Sequence, residues 1–166
     1  MGEQAPKSIL RRLRAAGYEA WYVGGCVRDT LLGRPVHDWD ITTSALPEEV
    51  TALFAKTIPT GIRHGTVTVL EDGAKAEVTT YRADGQYLDG RHPAAVTFVR
   101  SLPEDLARRD FTVNAMAMDE DGTLVDLYGG RADLDARLLR CVGDPPPRFQ
   151  EAALRKLRAV RFAAQQ

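Results

Sequence analysis

The stretch YEAWYVGGCVRDTLLGRPVHDWDIT, residues 18–42, decides the fold. Apart from Glu19, residues 18–23 are apolar or aromatic, which predicts a buried strand, and Gly24-Gly25 predicts a tight turn after it. Residues 26–32 have helical spacing, and residues 39–42 are rich in residues typical of strands. The sequence therefore predicts a strand, a glycine turn, a short helix and a second strand, in that order.

Two aspartates flank Trp39 at the start of the second strand. Asp38 and Asp40 are two residues apart, and the period of a strand predicts that both carboxylates face one side, roughly 7 Å apart along the backbone. A divalent cation such as Mg²⁺ would relieve their repulsion, because it takes one or two carboxylates and completes its shell with water and phosphate oxygens. The alternative is a solvated strand end, since this short pattern often occurs by chance.

The glycine turn favours phosphate binding. A helix that begins at Gly24-Gly25 offers backbone N–H groups and a positive end, and Arg28 adds a cation one helical turn later. An ordinary tight turn is the alternative. Because the acid pair follows only 13 residues after Gly25, the combination predicts one nucleoside triphosphate bound with its Mg²⁺.

Alternating β-branched residues predict an antiparallel hairpin from residues 66–70 and 76–81, joined through Glu71-Asp72-Gly73. Glu77 lies on the second strand and is a candidate third acid beside the aspartate pair. The alternative is a strand residue that faces solvent.

The rest of the chain shows further helices, short strands and a long irregular segment. The spacing predicts helices over 6–16, 47–56, 103–118 and 131–138, strands over 124–126 and 139–142, a loop over 82–102, and a final helix from Phe149 to Gln166. A loop of that length in a compact domain is usually functional or mobile.

Two groups of arginines are candidate phosphate ligands, because a guanidinium matches phosphate oxygens. Arg108-Arg109-Asp110 and Asn114 are predicted to share a turn of helix, with a capped helix start as the alternative. Arg155, Arg158 and Arg161 recur every third residue in the final helix, with a solvated helix face as the alternative.

Composition limits the function classes. The chain has 166 residues, the size of one domain, and a net charge of -1, which excludes a strongly basic nucleic-acid coat. Cys26 and Cys141 form no metal-binding pair and no disulfide framework, which favours a reducing cytoplasm. The first residues lack the features of a signal peptide, and no apolar run is long enough to span a membrane.

Taken together, these motifs resemble class II tRNA nucleotidyltransferases and bacterial poly(A) polymerases. The resemblance covers about residues 18–166. It rests on several segments in matching order and spacing, namely GGCVRD at 24–29, DWD at 38–40, HGTVTV at 64–69, EVTTYR at 77–82, RRDFTVNA at 108–115, and LR at 154–155 through RF at 161–162.

The resemblance implies an α+β fold, a polymerase-β-like nucleotidyltransferase head with a mixed or antiparallel sheet and flanking helices. Residues 1–147 would form this head, and residues 148–166 would begin a helical neck. The family's helical body and tail, which hold tRNA, would follow beyond Gln166, so we expect the chain to be a fragment.

The resemblance also implies roles for single residues. Asp38 and Asp40 would bind catalytic Mg²⁺, with Glu77 as a third acid. The remaining implied residues would bind the nucleotide, and they are Gly25, Arg28, Arg109, Arg155, Arg158 and Arg161.

One position departs from the family pattern. The neck motif pairs an acid with an arginine to read the base of CTP or ATP, and Arg155 fits that arginine. This chain has Glu151-Ala152 where the family has Glu-Asp, so half of the pair is missing. Because a donor without its partner loses orientation, we expect triphosphate binding to survive while the choice between C and A is impaired. Lys156 also departs, since the family favours an apolar residue there.

The expected reaction is attack of an RNA 3′ hydroxyl on the α-phosphate of CTP or ATP. HGTVTV at 64–69 favours addition of CCA to tRNA over addition of a poly(A) tail. Separate CC-adding and A-adding enzymes remain open, as does a catalytically silent nucleotide-binding module. A glycosyltransferase that uses the Asp38/Asp40 pair is disfavoured by the short chain.

Overall fold

The computed structural model describes residues 5–84 and 96–143. The helices are α1 Lys7–Ala15, α2 Gly25–Leu31, α3 Pro47–Leu53, α4 Leu102–Ala107 and α5 Gly130–Asp135. The strands are β1 Ala20–Val23, β2 Asp40–Thr43, β3 Lys56–Gly61, β4 Thr66–Glu71, β5 Ala74–Thr80, β6 Arg82–Asp84, β7 Val96–Phe98, β8 Met116–Met118 and β9 Leu124–Asp126. Short 3₁₀ turns lie at Ile62–His64 and Thr112–Asn114.

Seven strands form one twisted sheet in the order β3-β4-β5-β2-β1-β8-β9. Its neighbouring strands are antiparallel except for β2 and β5, which run parallel. Strands β6 and β7 form a separate antiparallel pair. The α+β fold, with a mixed and mostly antiparallel sheet and flanking helices, is thereby confirmed.

The core lies between this sheet and the helices. Helix α1 buries the apolar stripe Ile9, Leu10 and Leu13 completely, because these three positions share one helical face. The rings of Tyr22, in β1, and Trp39, directly before β2, pack with centroids 5.0 Å apart. This packing holds the ends of β1 and β2 together, where the glycine turn and Asp40 lie.

The local predictions around the fold-deciding stretch are confirmed. Strand β1 leads into Gly24, helix α2 follows, and β2 begins at Asp40. The hairpin is also confirmed, since β4 and β5 pair across a turn in which Asp72 and Gly73 have φ of 51° and 77°. Two successive residues with positive φ are typical of the turn that matches the twist of two paired strands.

The prediction of helix over 103–118 is confirmed only for 103–107 and is wrong beyond it. Helix α4 ends at Ala107, and Met116–Met118 instead forms strand β8, which pairs with β1 and β9. All three residues of β8 are buried. A short apolar run has no periodicity that distinguishes a strand from a helix. Here the run forms a strand because it pairs with the edge of β1.

Four smaller differences concern segment ends. Helix α3 ends at Leu53 rather than at residue 56, and 56–61 forms the edge strand β3. The helix predicted over 131–138 is the shorter α5, and the strand predicted over 139–142 is reduced to one bridge between Phe111 and Cys141. Within the segment 82–102, Arg82–Asp84 and Val96–Phe98 pair as strands rather than forming loop, and Leu102 begins α4. The final helix and residues 144–147 lie outside the described residues.

Within 5–84 and 96–143, no helix is long and apolar enough to cross a bilayer.

Candidate nucleotide and metal site

A sharp backbone turn at Gly24-Gly25 connects β1 to α2. Gly24 has φ 78° and ψ -141°, a conformation open essentially to glycine alone. A Cβ on Gly24 would lie 3.8 Å from Nη1 of Arg109, and one on Gly25 would lie 3.2 Å from Nη2 of Arg28. Two guanidinium groups therefore approach the turn closely, one at each glycine.

The turn borders an open cleft of about 410 Å³. Besides the two glycines, the cleft is lined by Arg28, Asp40 and Asn114 and by the segment 108–110. Three arginines thus line the same space as Asp40 and Asp110. This combination suits a ligand that carries several negative charges together with a counter-cation.

Arg28 is held from both sides. Its Nη1 donates to Oδ1 of Asn114 at 3.1 Å, and its Nε donates to Oδ1 of Asp29, also at 3.1 Å. Asn114 lies in the 3₁₀ turn before β8, 86 residues further along the chain. The expectation that Arg108, Arg109, Asp110 and Asn114 share one helical turn is wrong, because α4 ends before them. The chain reversal into β8 nevertheless brings them to one cleft.

Arg109 lies over a buried carboxylate. Its Nη2 donates to Oδ2 of Asp105 at 3.2 Å, and the Asp105 side chain is fully buried. Burial lowers the pKa of the Arg109 guanidinium, and the charge of Asp105 opposes that change. The buried Nε of Arg109 has no hydrogen-bond partner in the part of the chain that the structure describes. A buried donor of this kind is costly unless a ligand satisfies it, which favours an anion in the cleft.

Asp105 accepts further hydrogen bonds that fix its position. Oδ1 accepts from the backbone N–H of Arg82 at 3.0 Å and from Nε of Arg108 at 3.4 Å, and Oδ2 accepts from Oγ1 of Thr42 at 3.0 Å. Sequence reasoning missed Asp105. An acid in the first turn of a helix is common for dipole reasons alone, so no local signal distinguished it.

Asp40 lies at the first position of β2, on the wall of the cleft. Asp40 is exposed at the cleft, but partial desolvation by the surrounding atoms raises the pKa of its carboxyl group; Arg109 opposes that change, and the negative charges of Glu77 and Asp38 add to it. Asp40 and Glu77 are register partners across the parallel pair β2 and β5. Two acids on adjacent strands, one of them with a raised pKa, form an environment that a cation would relieve.

Asp38 has a different placement from Asp40. The strand begins at Asp40, so strand periodicity does not govern Asp38, although both residues are exposed. Asp38 lines a neighbouring cleft with His37 and Lys75, whereas Asp40 lines the cleft of the glycine turn. The two aspartates remain close enough for the charge of Asp38 to contribute to the raised pKa of Asp40. The shared metal role of the pair stays a prediction.

The described segments contain no ready-made group of three histidine, cysteine or acidic side chains arranged for a metal. Mg²⁺ needs fewer protein ligands than that, because it is usually bound through one or two carboxylates with water and substrate phosphates. The neck residues lie outside the described part of the chain. These are the implied nucleotide ligands Arg155, Arg158 and Arg161, and the positions Glu151-Ala152 and Lys156.

Comparison with known proteins gives a consistent result. A family model described as the poly A polymerase head domain matches residues 20–140. The CCA-adding enzyme of Geobacillus thermodenitrificans is 59% identical over 162 residues, which are 98% of this chain and 40% of that protein. The CCA-adding enzyme of Levilactobacillus brevis is 58% identical over 159 residues, 96% of this chain and 40% of that protein.

Solved structures agree. The crystal structure of Bacillus stearothermophilus CCA-adding enzyme in complex with CTP matches with a TM-score of 0.82 and 52% identity, over 96% of this chain and 39% of that one. A tRNA nucleotidyltransferase complexed with a primer tRNA and an incoming ATP analog matches with a TM-score of 0.70 and 34% identity, over 93% of this chain and 44% of that one.

The chain thus spans about 40% of the length of the curated relatives that it matches. The matched part contains the glycine turn, the Asp40 strand and the arginine segment that build the cleft. The resemblance to tRNA nucleotidyltransferases is confirmed, and the chain belongs to the poly A polymerase head domain family.

Proposed function

We propose that this chain is the catalytic head of a template-independent RNA nucleotidyltransferase that adds C, A or both to the 3′ end of tRNA. The observation that carries the proposal is the cleft in which Asp40 faces the glycine turn together with Arg28 and Arg109. One solved relative is in complex with CTP, and another is complexed with a primer tRNA and an ATP analog, which supports CTP, ATP and tRNA as the ligands. A cytoplasmic location remains a prediction.

Residues 1–147 would form the head and residues 148–166 the start of the neck. The tRNA would be held mainly by a helical body outside this chain, since the relatives are much longer than the matched region.

The residues present fit a divalent cation. Asp40 and Glu77 lie side by side on parallel strands, and the pKa of Asp40 is raised by partial desolvation and by its acidic neighbours. A bound cation would reverse that effect by stabilising the carboxylate form. We therefore assign Mg²⁺ to Asp40 and Asp38, with Glu77 as a third acid.

In the proposed reaction, the RNA 3′ hydroxyl attacks the α-phosphate and pyrophosphate leaves. Mg²⁺, when bound, would lower the pKa of the hydroxyl and neutralise charge on the leaving group. Arg28 and Arg109 would bind the triphosphate from the two sides of the glycine turn, with Gly25 allowing its backbone to approach. Asn114 would orient Arg28 through the 3.1 Å contact between Oδ1 and Nη1.

The neck residues would complete the nucleotide site. Arg158 and Arg161 would lie near the triphosphate, and Arg155 would contact the base. Because Ala152 replaces the acidic partner of Arg155, we expect the chain to bind CTP and ATP with similar affinity. Equilibrium binding of both nucleotides with Mg²⁺ tests this expectation, and a clear preference for either one contradicts it.

Primer extension tests the main proposal. The chain would be incubated with labelled CTP or ATP, Mg²⁺ and a tRNA that lacks its CCA end, beside the variants Asp40→Ala and Arg109→Ala. Because the body that would hold the tRNA lies outside this chain, we expect slow extension by the wild type at high tRNA concentration. Each variant should lose at least about 100-fold, the magnitude typical of removed transition-state contacts. The exposed residues Asp121 and Arg131 supply matched controls, Asp121→Ala and Arg131→Ala, which should retain activity.

The other outcomes distinguish the alternatives. Long A tracts made from ATP on RNA of any sequence would indicate a poly(A) polymerase. Binding of CTP that depends on Mg²⁺, without extension of any RNA, would indicate a silent nucleotide-binding module. Full activity in Asp40→Ala would remove this carboxylate from the mechanism.

A further inference from the structure

The candidate third acid, Glu77, is held by hydroxyl groups from two other strands. Oγ1 of Thr68 donates to Oε2 of Glu77 at 2.7 Å, and Oγ1 of Thr60 lies 3.4 Å from the same oxygen. The two threonine oxygens are 2.8 Å apart. Both hydroxyls therefore contact Oε2 and not Oε1.

The direction of these hydrogen bonds follows from their chemistry. A carboxylate only accepts, and a hydroxyl has one proton to donate. Thr68 uses its proton on Glu77, so the short contact between the threonines is a donation from Thr60 to Thr68. The order is a chain from Thr60 to Thr68 to Glu77, in which the last bond is charge-assisted.

The backbone explains why these three side chains meet. Thr68 on β4 is the register partner of Glu77 on β5, so their side chains share one face of the sheet. On the edge strand β3, the register shifts between Ile58 and Gly61, which is where Thr60 lies. A β-bulge re-aims a side chain, and here it directs Thr60 toward Thr68.

Because Thr68 is buried, its hydrogen bond to Glu77 constrains the Glu77 side chain more than the contact with Thr60 does. Thr68 is 3% exposed, whereas Thr60 is exposed at the sheet edge. Glu77 is half-buried and carries three rotatable side-chain bonds, so it has several ways to turn away from Asp40 on the neighbouring strand. The short hydrogen bond from the buried Thr68 hydroxyl restricts Glu77 to one orientation.

We infer that Thr68, supported by Thr60, is a positioning residue that fixes Glu77 so that its Oε1 completes the divalent-cation site beside Asp40. The inference rests on the proposed function, because it assumes a cation at Asp40. It assigns a role to β3 and β4, which contribute no residue to the cleft of the glycine turn.

Titration with Mn²⁺, followed by electron paramagnetic resonance of the free ion, tests the inference on the full chain. Thr68→Val removes the hydroxyl at nearly constant shape and should weaken Mn²⁺ binding about tenfold, which corresponds to about 1.4 kcal/mol. Thr68→Ser restores the hydroxyl, so its Mn²⁺ affinity should lie within about twofold of the wild-type value, a change much smaller than the tenfold loss expected for Thr68→Val. CTP binding measured without metal should not change in either variant.

A matched control is available on the same strands. Thr66 and Thr79 share a hydroxyl contact of 2.9 Å two register pairs further along the hairpin, away from Glu77. Thr66→Val therefore removes a similar bond and should leave Mn²⁺ affinity unchanged. An equal loss in Thr66→Val and Thr68→Val would overturn the inference, because it would show a general effect on the sheet.

Two further variants separate the possible failures. Thr60→Val leaves the buried residue intact and should weaken Mn²⁺ binding by less than Thr68→Val, so it tests the chain of hydroxyls even if Thr68→Val unfolds. Unchanged Mn²⁺ affinity in both Thr60→Val and folded Thr68→Val overturns the inference. If Asp40→Asn also leaves Mn²⁺ affinity unchanged, the proposed metal site itself is wrong. If only Asp40→Asn lowers Mn²⁺ affinity, the metal site stands and the role of the threonines is rejected.

Discussion

The fully buried carboxylate of Asp105 lies 3.2 Å from the guanidinium of Arg109, measured from Oδ2 to Nη2. The same carboxylate accepts from the backbone of Arg82 and from the hydroxyl of Thr42, so it joins α4 to the sheet as well as holding an arginine at the cleft. Loss of Asp105 should therefore affect both folding and ligand binding.

Asp105→Ala should lower the free energy of unfolding by about 3–5 kcal/mol, because it leaves the Arg109 guanidinium buried without its partner. Chemical denaturation measures the change. Glu104, the exposed neighbour in the same helical turn, supplies the control, and Glu104→Ala should stay within about 0.5 kcal/mol of the wild type. Equal stability of the two variants would show that the buried pair contributes nothing.

Asp40→Asn should raise the melting temperature at neutral pH. Partial desolvation of the exposed Asp40, together with Glu77 and Asp38, raises the pKa of its carboxyl group in the folded state despite the opposing charge of Arg109. The ionised carboxylate is thus less favourable in the folded than in the unfolded chain, and stability falls as pH rises through the unfolded and then the folded pKa. Asparagine removes that penalty while keeping the shape.

Thermal melts at several pH values test this sign. The difference in melting temperature between Asp40→Asn and the wild type should be present at pH 7. It should disappear below the ordinary aspartate pKa of 3.8, where the side chain at position 40 is neutral in both proteins. Mg²⁺ should raise the melting temperature of the wild type and not that of the variant. The exposed variant Asp121→Asn serves as the control, and a lower melting temperature of Asp40→Asn at pH 7 contradicts the prediction.

Gly24→Ala should destabilise the chain by about 1–3 kcal/mol, because φ 78° with ψ -141° is strained for any residue with a Cβ. The same variant should weaken CTP binding, since relief of the strain would move the turn away from Arg109. Gly129 has φ 75° and ψ 26°, a left-handed conformation with open space around it, so Gly129→Ala should cost only about 1 kcal/mol. Unfolding in denaturant measures the free energy of unfolding of both variants. A larger loss of stability in Gly129→Ala than in Gly24→Ala would contradict the prediction that Gly24 is the more strained position.

The two cysteines should differ in reactivity. Burial raises the pKa of the Cys26 thiol to about 11, and Cys26 lies 2% exposed beneath the glycine turn. Because the thiolate is the nucleophile, iodoacetamide at pH 8 should modify the half-buried Cys141 first and Cys26 only on unfolding. Peptide mass mapping over time distinguishes the sites, and rapid alkylation of Cys26 in a folded Cys141→Ser variant would contradict the expected burial.

Much of the site was predictable because its signals are local. The glycine turn needs a backbone conformation closed to other residues, and Asp40 follows at a short distance along the chain, so both could be found without the fold. Glu77 was a candidate from its strand alone. The failures came where a segment of few residues could form either element, as in the apolar run 116–118, which became a strand at the edge of β1.

By itself, the sequence determined the succession of strand, glycine turn, helix and acidic strand start, and the hairpin that follows, because backbone sterics and side-chain periodicity act between near neighbours. Only the tertiary structure decided that Arg109 and Asn114 join Gly24 at one cleft, that Asp40 lies beside Glu77, and that Asp105 and Thr68 support them. Those contacts depend on the order and register of strands far apart in sequence, which the packing of the whole sheet selects.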